Sequence, residues 1–283
     1  MNIVEIKNLN ISFKQHGNII KAVRGISLNL NEGESLGIVG ESGSGKSVTF
    51  MSLLGLINSP SAIIEADILE IGGIDLLTNK KKNLSKIRGK IASMVFQDSM
   101  TSFDPLFTIG YQITETILTH KSITKKKAFN EAQELLKKVE IQNPEKVINY
   151  YPHQLSGGML QRAMIAMALS CEPRLLIADE PTTALDVTVQ AQILQLIKDL
   201  QIENNMSLIM ITHDLGVIAE TVDRVIVMYG GQIMENSNIF EIFNNPNHLY
   251  TKALIDSIPG QIPGKRKLKE ITQDERDSWY VSH

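Results

Sequence analysis

Eight consecutive residues, Gly40-Glu41-Ser42-Gly43-Ser44-Gly45-Lys46-Ser47, restrict the folding choices of this chain more than any other segment. Two glycines bracket four residues and are followed by Lys-Ser, the phosphate-loop pattern. Glycine accepts positive φ, so successive backbone N–H groups can point into one concavity. The apolar run from Leu36 to Val39 precedes the loop and a helical stretch from Lys46 to Ile57 follows it, so the expected order is strand, loop, helix. The helix N-terminus adds partial positive charge, and the whole concavity suits a polyphosphate. On this reading the backbone from Gly40 to Val48 cradles phosphates, Lys46 reaches the β and γ phosphates of a nucleotide, and the Ser47 hydroxyl ligates Mg²⁺.

The rest of the chain continues the α/β pattern. Residues 1–35 alternate apolar and polar positions, punctuated by Gly17, Gly25 and Gly33, as antiparallel strands with turns do. Apolar runs at Arg174–Ala178 and Ser207–Thr212 read as buried strands, with an amphipathic helix from Val189 to Leu200 between them. From Thr108 to Val139 the apolar spacing is helical, which predicts a helical insertion. Pro246 is expected to end the core, and residues 259–283, with two prolines and the run Lys265, Arg266, Lys267, Lys269, to form a loosely ordered tail.

Charge and cysteine content narrow the partners. Twenty-eight Lys and Arg against 31 Asp and Glu give a net charge of −3, so no global basic field invites nucleic acid. The single cysteine, Cys171, excludes an internal disulfide and fits a reducing compartment. The N-terminus has no secretory signal, and no apolar run approaches the roughly 18 residues of a spanning helix. The chain is therefore expected to be soluble and to touch a membrane only through protein partners.

Further motifs stand at strand ends. Leu175-Leu176-Ile177-Ala178 leads into Asp179-Glu180, at the carboxyl edge where open α/β sheets bind ligands. Side chains alternate along an extended segment, so Asp179 can serve the Mg²⁺ shell while Glu180 acts as general base on the attacking water. An acidic pair at a strand end is more often a solvated terminus, and only the upstream phosphate loop reverses that preference. His213 follows the run Ser207–Thr212 and Gln97 follows Ile91–Phe96; taken alone, each is more often structural. In Leu155-Ser156-Gly157-Gly158-Met159, Ser156 can cap a helix running to about Leu169, whose exposed N–H groups make a second anion site. One ATP loop with two phosphate cradles suggests sharing between molecules.

Phosphate loop, Gln97, Ser156-Gly157-Gly158, Asp179-Glu180, Ala184-Leu185-Asp186 and His213 occur in the order seen in ABC-type ATPases, and over roughly residues 3–255 the chain resembles that family. The loop, the segment from Phe96 to Pro105 and the block from Tyr151 to Val189 are similar to the oligopeptide, dipeptide and nickel importer ATPases, the first of their two ATPase subunits above all. His248-Leu249-Tyr250-Thr251 resembles the segment that ends the family's core. Met159 departs from the general family pattern but matches this subgroup, whereas Leu160 stands where an arginine is expected.

The resemblance implies a P-loop NTPase core of the RecA-like kind, with an N-terminal antiparallel β-subdomain and an inserted α-helical subdomain. It implies an ATPase domain over residues 1–250, its helical subdomain at about 103–170, and a short extension over 251–283. By the same resemblance Phe13 stacks under adenine and Val23 lines that pocket, Gln97 senses Mg²⁺ and contacts the permease, Asp186 lies in a loop crossing a dimer, and His213 holds the γ-phosphate. Two ATP molecules would sit between head-to-tail subunits, each closed by the other's Ser156-type signature. The implied partners are a second, related ATPase subunit, two transmembrane permease subunits and an extracytoplasmic solute-binding protein, at the cytoplasmic face of the membrane. Some members carry a cysteine-rich tail for an iron–sulfur cluster; residues 256–283 contain no cysteine, so no cluster is expected.

Other classes fit less well. A GTPase or small-molecule kinase would share the phosphate loop but has no use for Ser156-Gly157-Gly158. A soluble ABC ATPase of DNA repair or translation usually has a second cassette, zinc-binding cysteines or a long coiled coil. Exporters commonly fuse membrane and ATPase domains. Among cargoes, peptides come first and nickel or a metal chelate second.

Overall fold

A computed structural model describes residues 1–257 except His16, Asn79, Ala184 and the side chains of Lys80 and Lys81. Ala184 of the Ala-Leu-Asp motif and nearly all of the cysteine-free segment lie outside the described residues.

The alternating N-terminal segment forms a hairpin of β1 (Asn2–Gln15) and β2 (Asn18–Asn31). Gly25 does not end a strand. It takes φ 65° where β2 gains one residue against β1, and its N–H donates to Asn10 Oδ1 at 2.9 Å, so it forms a bulge rather than a turn. β4 (Ala62–Glu65) and β5 (Ile68–Ile71) pair with the other edge of β1, and β6 (Ile74–Asp75) completes an antiparallel five-stranded sheet.

The second sheet has the order β11-β10-β3-β9-β8-β7. It comprises β3 (Ser35–Val39), β7 (Ala92–Val95), β8 (Leu175–Asp179), β9 (Ser207–Thr212), β10 (Arg224–Tyr229) and β11 (Gln232–Asn238). All neighbours run parallel except β10 and β11. Period two divides its residues between two cores, as in parallel sheets covered on both faces. Leu36, Ile38, Leu175, Ile177, Ile209, Ile211, Ile226 and Met228 face the core shared with the antiparallel sheet. Val39, Leu176, Ala178, Leu208, Met210, Val225 and Val227 face the helices.

Helix α1 (Lys46–Leu53) follows the loop and stops short of Ile57, because Gly55 turns the chain with φ 61°. Helix α2 (Lys80–Ile87) leads to β7. Between β7 and β8 stand α3 (Ile109–His120), α4 (Lys125–Lys138), the single turn α5 (Pro144–Val147) and α6 (Gly157–Leu169). The expected stretch Thr108–Val139 is thus two helices, each started by a threonine cap, Thr108 and Thr124. Then come α7 (Val187–Glu203), α8 (Leu215–Thr221), α9 (Ile239–Asn244) and α10 (Leu249–Asp256). The core does not end at Pro246: Tyr250 is fully buried and Ile255 is 9% exposed, so α10 belongs to it. Among the described residues no helix is long and apolar enough to cross a membrane.

Candidate functional site

Four adjacent parallel strands deliver the motifs to one edge. At their carboxyl ends β3 leads to Gly40, β9 to His213, β8 ends in Asp179 with Glu180 next, and β7 leads to Gln97. They surround a cavity of about 600 Å³ lined by residues 41–48 together with Gln97, Glu180, Thr183 and His213.

Close packing fixes the shape of the loop. Gly40 has φ 150°, and a Cβ there would lie 2.0 Å from the Met228 carbonyl oxygen of β10. Gly45 has φ 94°, with 2.5 Å between such a Cβ and the Ala22 oxygen of β2. Both sheets therefore press against the loop, and only glycine permits that approach. The Glu41 N–H donates to the Tyr250 hydroxyl at 3.0 Å, and the Gly231 N–H donates to the Ser44 oxygen at 3.1 Å.

Lys46 turns back on the loop, its Nζ donating to the Gly40 oxygen at 2.7 Å, the Glu41 oxygen at 2.8 Å and Ser44 Oγ at 3.3 Å. Burial pushes its ammonium below the ordinary lysine value, against the pull of Glu180, Asp179 and Glu41. Ser47 Oγ donates to Asp179 Oδ1 at 2.9 Å. Burial raises the Asp179 carboxyl above its ordinary value, a shift opposed by the Ser47 hydrogen bond and reinforced by Glu180. These charged groups are desolvated without full compensation, a condition that anionic phosphates beside Lys46 and a divalent cation beside Asp179 would relieve.

Glu180 sits in a left-handed conformation, φ 46°. Its Oε2 accepts from Gln97 Nε2 and from Thr183 Oγ1, both at 2.9 Å, and its Oε1 lies 3.2 Å from His213 Nδ1. Gln97 and His213, from two separate motifs, thus converge with Thr183 on one carboxylate. Thr183 was not foreseen; its signal is the tight turn in which the Thr183 N–H donates to the Glu180 oxygen, which returns position i+3 to position i.

The residues do fit Mg-ATP. Ser47 and Asp179 offer hard oxygen donors, and no group of three His, Cys, Asp or Glu that could hold a metal exists among the described residues, so an ion here would need oxygens from phosphate or water as well.

Other expected residues lie elsewhere. Val23 is buried with its Cγ2 3.4 Å from the Cβ position of Gly45, and Phe13 is half-buried on β1; neither lines the cavity. Ser156 caps α6, accepting from the Met159 N–H at 3.4 Å, and neither it nor Gly157 nor Gly158 lines the cavity. Asp186 caps α7 by accepting from the Val189 N–H at 2.9 Å. A Cβ on Gly158 would lie 2.8 Å from Val189 Cγ1, so the Ser-Gly-Gly turn and the first turn of α7 are in contact. Leu160, at the position expected to hold an arginine, is 1% exposed within the helical core, where an aliphatic side chain costs no desolvation.

The family profile described as ABC transporter matches residues 23–183. This chain belongs to the ABC transporter family. As such it is an ATPase cassette with the α/β core, antiparallel β-subdomain and helical insertion expected of it. It is 50% identical over 271 residues to the dipeptide transport ATP-binding protein DppD of Haemophilus influenzae, a match covering 96% of this chain and 82% of that one. To the oligopeptide transport ATP-binding protein OppD of Bacillus subtilis it is 51% identical, covering 91% of this chain and 72% of the relative. A solved dimeric structure of the ATP-binding cassette MJ0796, in a post-hydrolysis state bound to ADP and Pi, superposes with a TM-score of 0.72 at 31% identity, covering 83% of this chain and 98% of that one.

Proposed function

We propose that this cassette powers an importer of dipeptides or oligopeptides at the cytoplasmic face of a cell membrane. It works with a second, related ATPase subunit, two transmembrane permease subunits and an extracytoplasmic solute-binding protein. The observation that carries the catalytic reading is the convergence of Gln97, Thr183 and His213 on Glu180 beside Lys46 and the Ser47–Asp179 pair. The peptide class is supported by the relatives, named for dipeptide and oligopeptide transport.

In this reading Lys46 exchanges its loop carbonyls for the β and γ phosphates of ATP, and the backbone of residues 40–48 surrounds them. Ser47, Asp179 and Gln97 would hold Mg²⁺, whose charge would offset that of the phosphates. Glu180 takes the proton of a water as its oxygen bonds to the γ-phosphorus and the bond to the β-phosphate oxygen breaks. Its ties to Gln97, Thr183 and His213 fix that oxygen in place, and His213 then contacts the γ-phosphate. Phe13 stacks on adenine above Val23, while Ser156, Gly157, Gly158 and Asp186 serve a nucleotide bound by the partner subunit. The ATPase domain takes in residues 1–250 with the remainder of α10, its helical subdomain spans about 103–170, and the residues beyond form a short extension.

Two measurements test this. Lys46→Ala in the assembled complex should abolish ATP binding or turnover, and near-normal turnover would refute the site. A deletion strain should resist a toxic peptide analogue and regain sensitivity with the wild-type gene; a growth defect confined to metal depletion would replace the peptide assignment with a metal one.

A further inference from the structure

We propose that Tyr250 is a positioning residue for the phosphate loop, its hydroxyl holding Glu41 from the carboxyl-terminal side of the chain. The proposal rests on the ATP reading of the cavity and adds a residue to it. Tyr250 is fully buried, and its hydroxyl accepts the Glu41 N–H at 3.0 Å across 209 residues of sequence. A hydroxyl so enclosed cannot exchange this bond for one to water, so the contact fixes the backbone of Glu41.

The surroundings hold the tyrosine in turn. Its ring centroid lies 4.7 Å from that of Tyr229 at the end of β10, tilted by 45°. Tyr229 follows Met228, whose carbonyl oxygen blocks any side chain at Gly40. Gly40 and Glu41 therefore rest on one continuous structure built from β10 and α10. Helix α10 is itself anchored at its start: the 8%-exposed Glu235 accepts the Asn247 N–H at 2.8 Å and the His248 N–H at 3.0 Å, and His248 Nδ1 accepts the Tyr250 N–H at 3.1 Å.

The Lys46 ammonium also grips Gly40 and Glu41, through their carbonyl oxygens. A lysine drawn to phosphate releases those oxygens. The Tyr250 contact does not involve Lys46 and persists, so it keeps the concavity in shape while the lysine moves. Because Tyr250 reaches no reacting atom, its effect belongs to nucleotide affinity and not to the hydrolytic step.

The test is Tyr250→Phe in the full-length chain, which keeps the ring and deletes the hydroxyl, with Mg-ATP as the probe. The Kd, and the KM of the assembled complex, should rise roughly 3- to 10-fold, the worth of one buried hydrogen bond, with kcat unchanged. Amide exchange at Glu41 should accelerate while that within α10 does not. An unchanged Kd, an unchanged Glu41 exchange rate, or a lower melting temperature with normal affinity would each overturn the proposal. Lys46→Ala measured in parallel separates the two readings: if that variant binds Mg-ATP normally, the site assignment fails whatever Tyr250 does.

Discussion

Glu180 is held in backbone and side chain at once. Its φ of 46° is costly for a residue with a Cβ, by about 1 kcal/mol or more, and its N–H donates to the Ile211 oxygen at 2.8 Å. The carboxylate is thereby aimed into the cavity instead of along the sheet. Glu180→Gln should bind Mg-ATP with near-native affinity yet hydrolyse it about 10²- to 10⁴-fold more slowly in single-turnover measurements. Loss of affinity with intact turnover of bound ATP would instead make Glu180 a metal or structural ligand. Gly40→Ala places a methyl 2.0 Å from the Met228 oxygen, so the loop must shift. Nucleotide affinity should fall by about tenfold or more with the circular dichroism spectrum unchanged, as the change distorts the cradle and not the core.

At the scale of elements, the approach to α10 is sensitive to acid. Burial alone would raise the Glu235 carboxyl, but hydrogen bonds from the Asn247 N–H, the His248 N–H and the Asn247 side-chain amide prevail and hold it below its ordinary 4.5. Burial lowers His248 below 6.5, against the pull of Glu235. Each group binds protons more readily in the unfolded chain, so stability rises with pH through each window. The His248 contribution is complete above pH 6.5 and is lost as pH falls below that value; the Glu235 contribution is complete above 4.5 and is lost below it. Melting temperature should therefore drop between about pH 7 and 5, and His248→Asn, which can still cap the helix, should flatten that slope. An unchanged slope would remove His248 from this account. A second joint is Arg162 on α6, which donates to the Val139 oxygen and Glu140 Oε2 at 2.9 and 2.8 Å and to Gln192 Oε1 of α7 at 3.3 Å. Arg162→Ala should cost roughly 1–3 kcal/mol in denaturant titration, since it strands a buried carbonyl.

For the whole molecule, the exposed Ser156 and Gly157 stand apart from the cavity of their own chain, and under the proposed function their helix N-terminus would aid hydrolysis by reaching a γ-phosphate on another. The chain should be a poor ATPase alone and a good one beside a related subunit on its permease. Closing such a pair from mostly open takes about 5.5 kcal/mol of preference, which γ-phosphate contacts from both faces can supply and hydrolysis then removes. Mutating Ser156 in the reconstituted complex should disable ATP held by the partner's phosphate loop. Failure confined to ATP on this chain's own Lys46 would contradict sharing. The purified protein should carry no iron, because one cysteine cannot hold a cluster that needs several thiolates; stoichiometric iron with acid-labile sulfide would refute this.

Local chemistry made much of this legible in sequence. The Gly40–Ser47 loop, the strand Ser207–Thr212 and the signature helix ending at Leu169 announce themselves through glycine spacing, unbroken apolar runs and a serine cap, all short-range signals. The same logic placed Asp179 and Glu180 at the ligand-binding sheet edge, whereas Gln97 and His213 were assigned to the site only through the family resemblance. Strands β4 to β6, β10 and β11 were not foreseen: β4 and β5 are four-residue strands paired to the distant β1, and β10, an interior strand, takes its place beside β3 from far along the chain, with β11 added to it as a hairpin. Nor could spacing reveal that Tyr250, 209 residues on, meets Glu41. By itself the sequence determined the glycine-rich loop, proposed as the phosphate cradle, and the strands that present it. Tertiary structure decided which distant side chains hold that cradle in shape, because packing of two cores against one sheet sets those contacts and no local pattern encodes them.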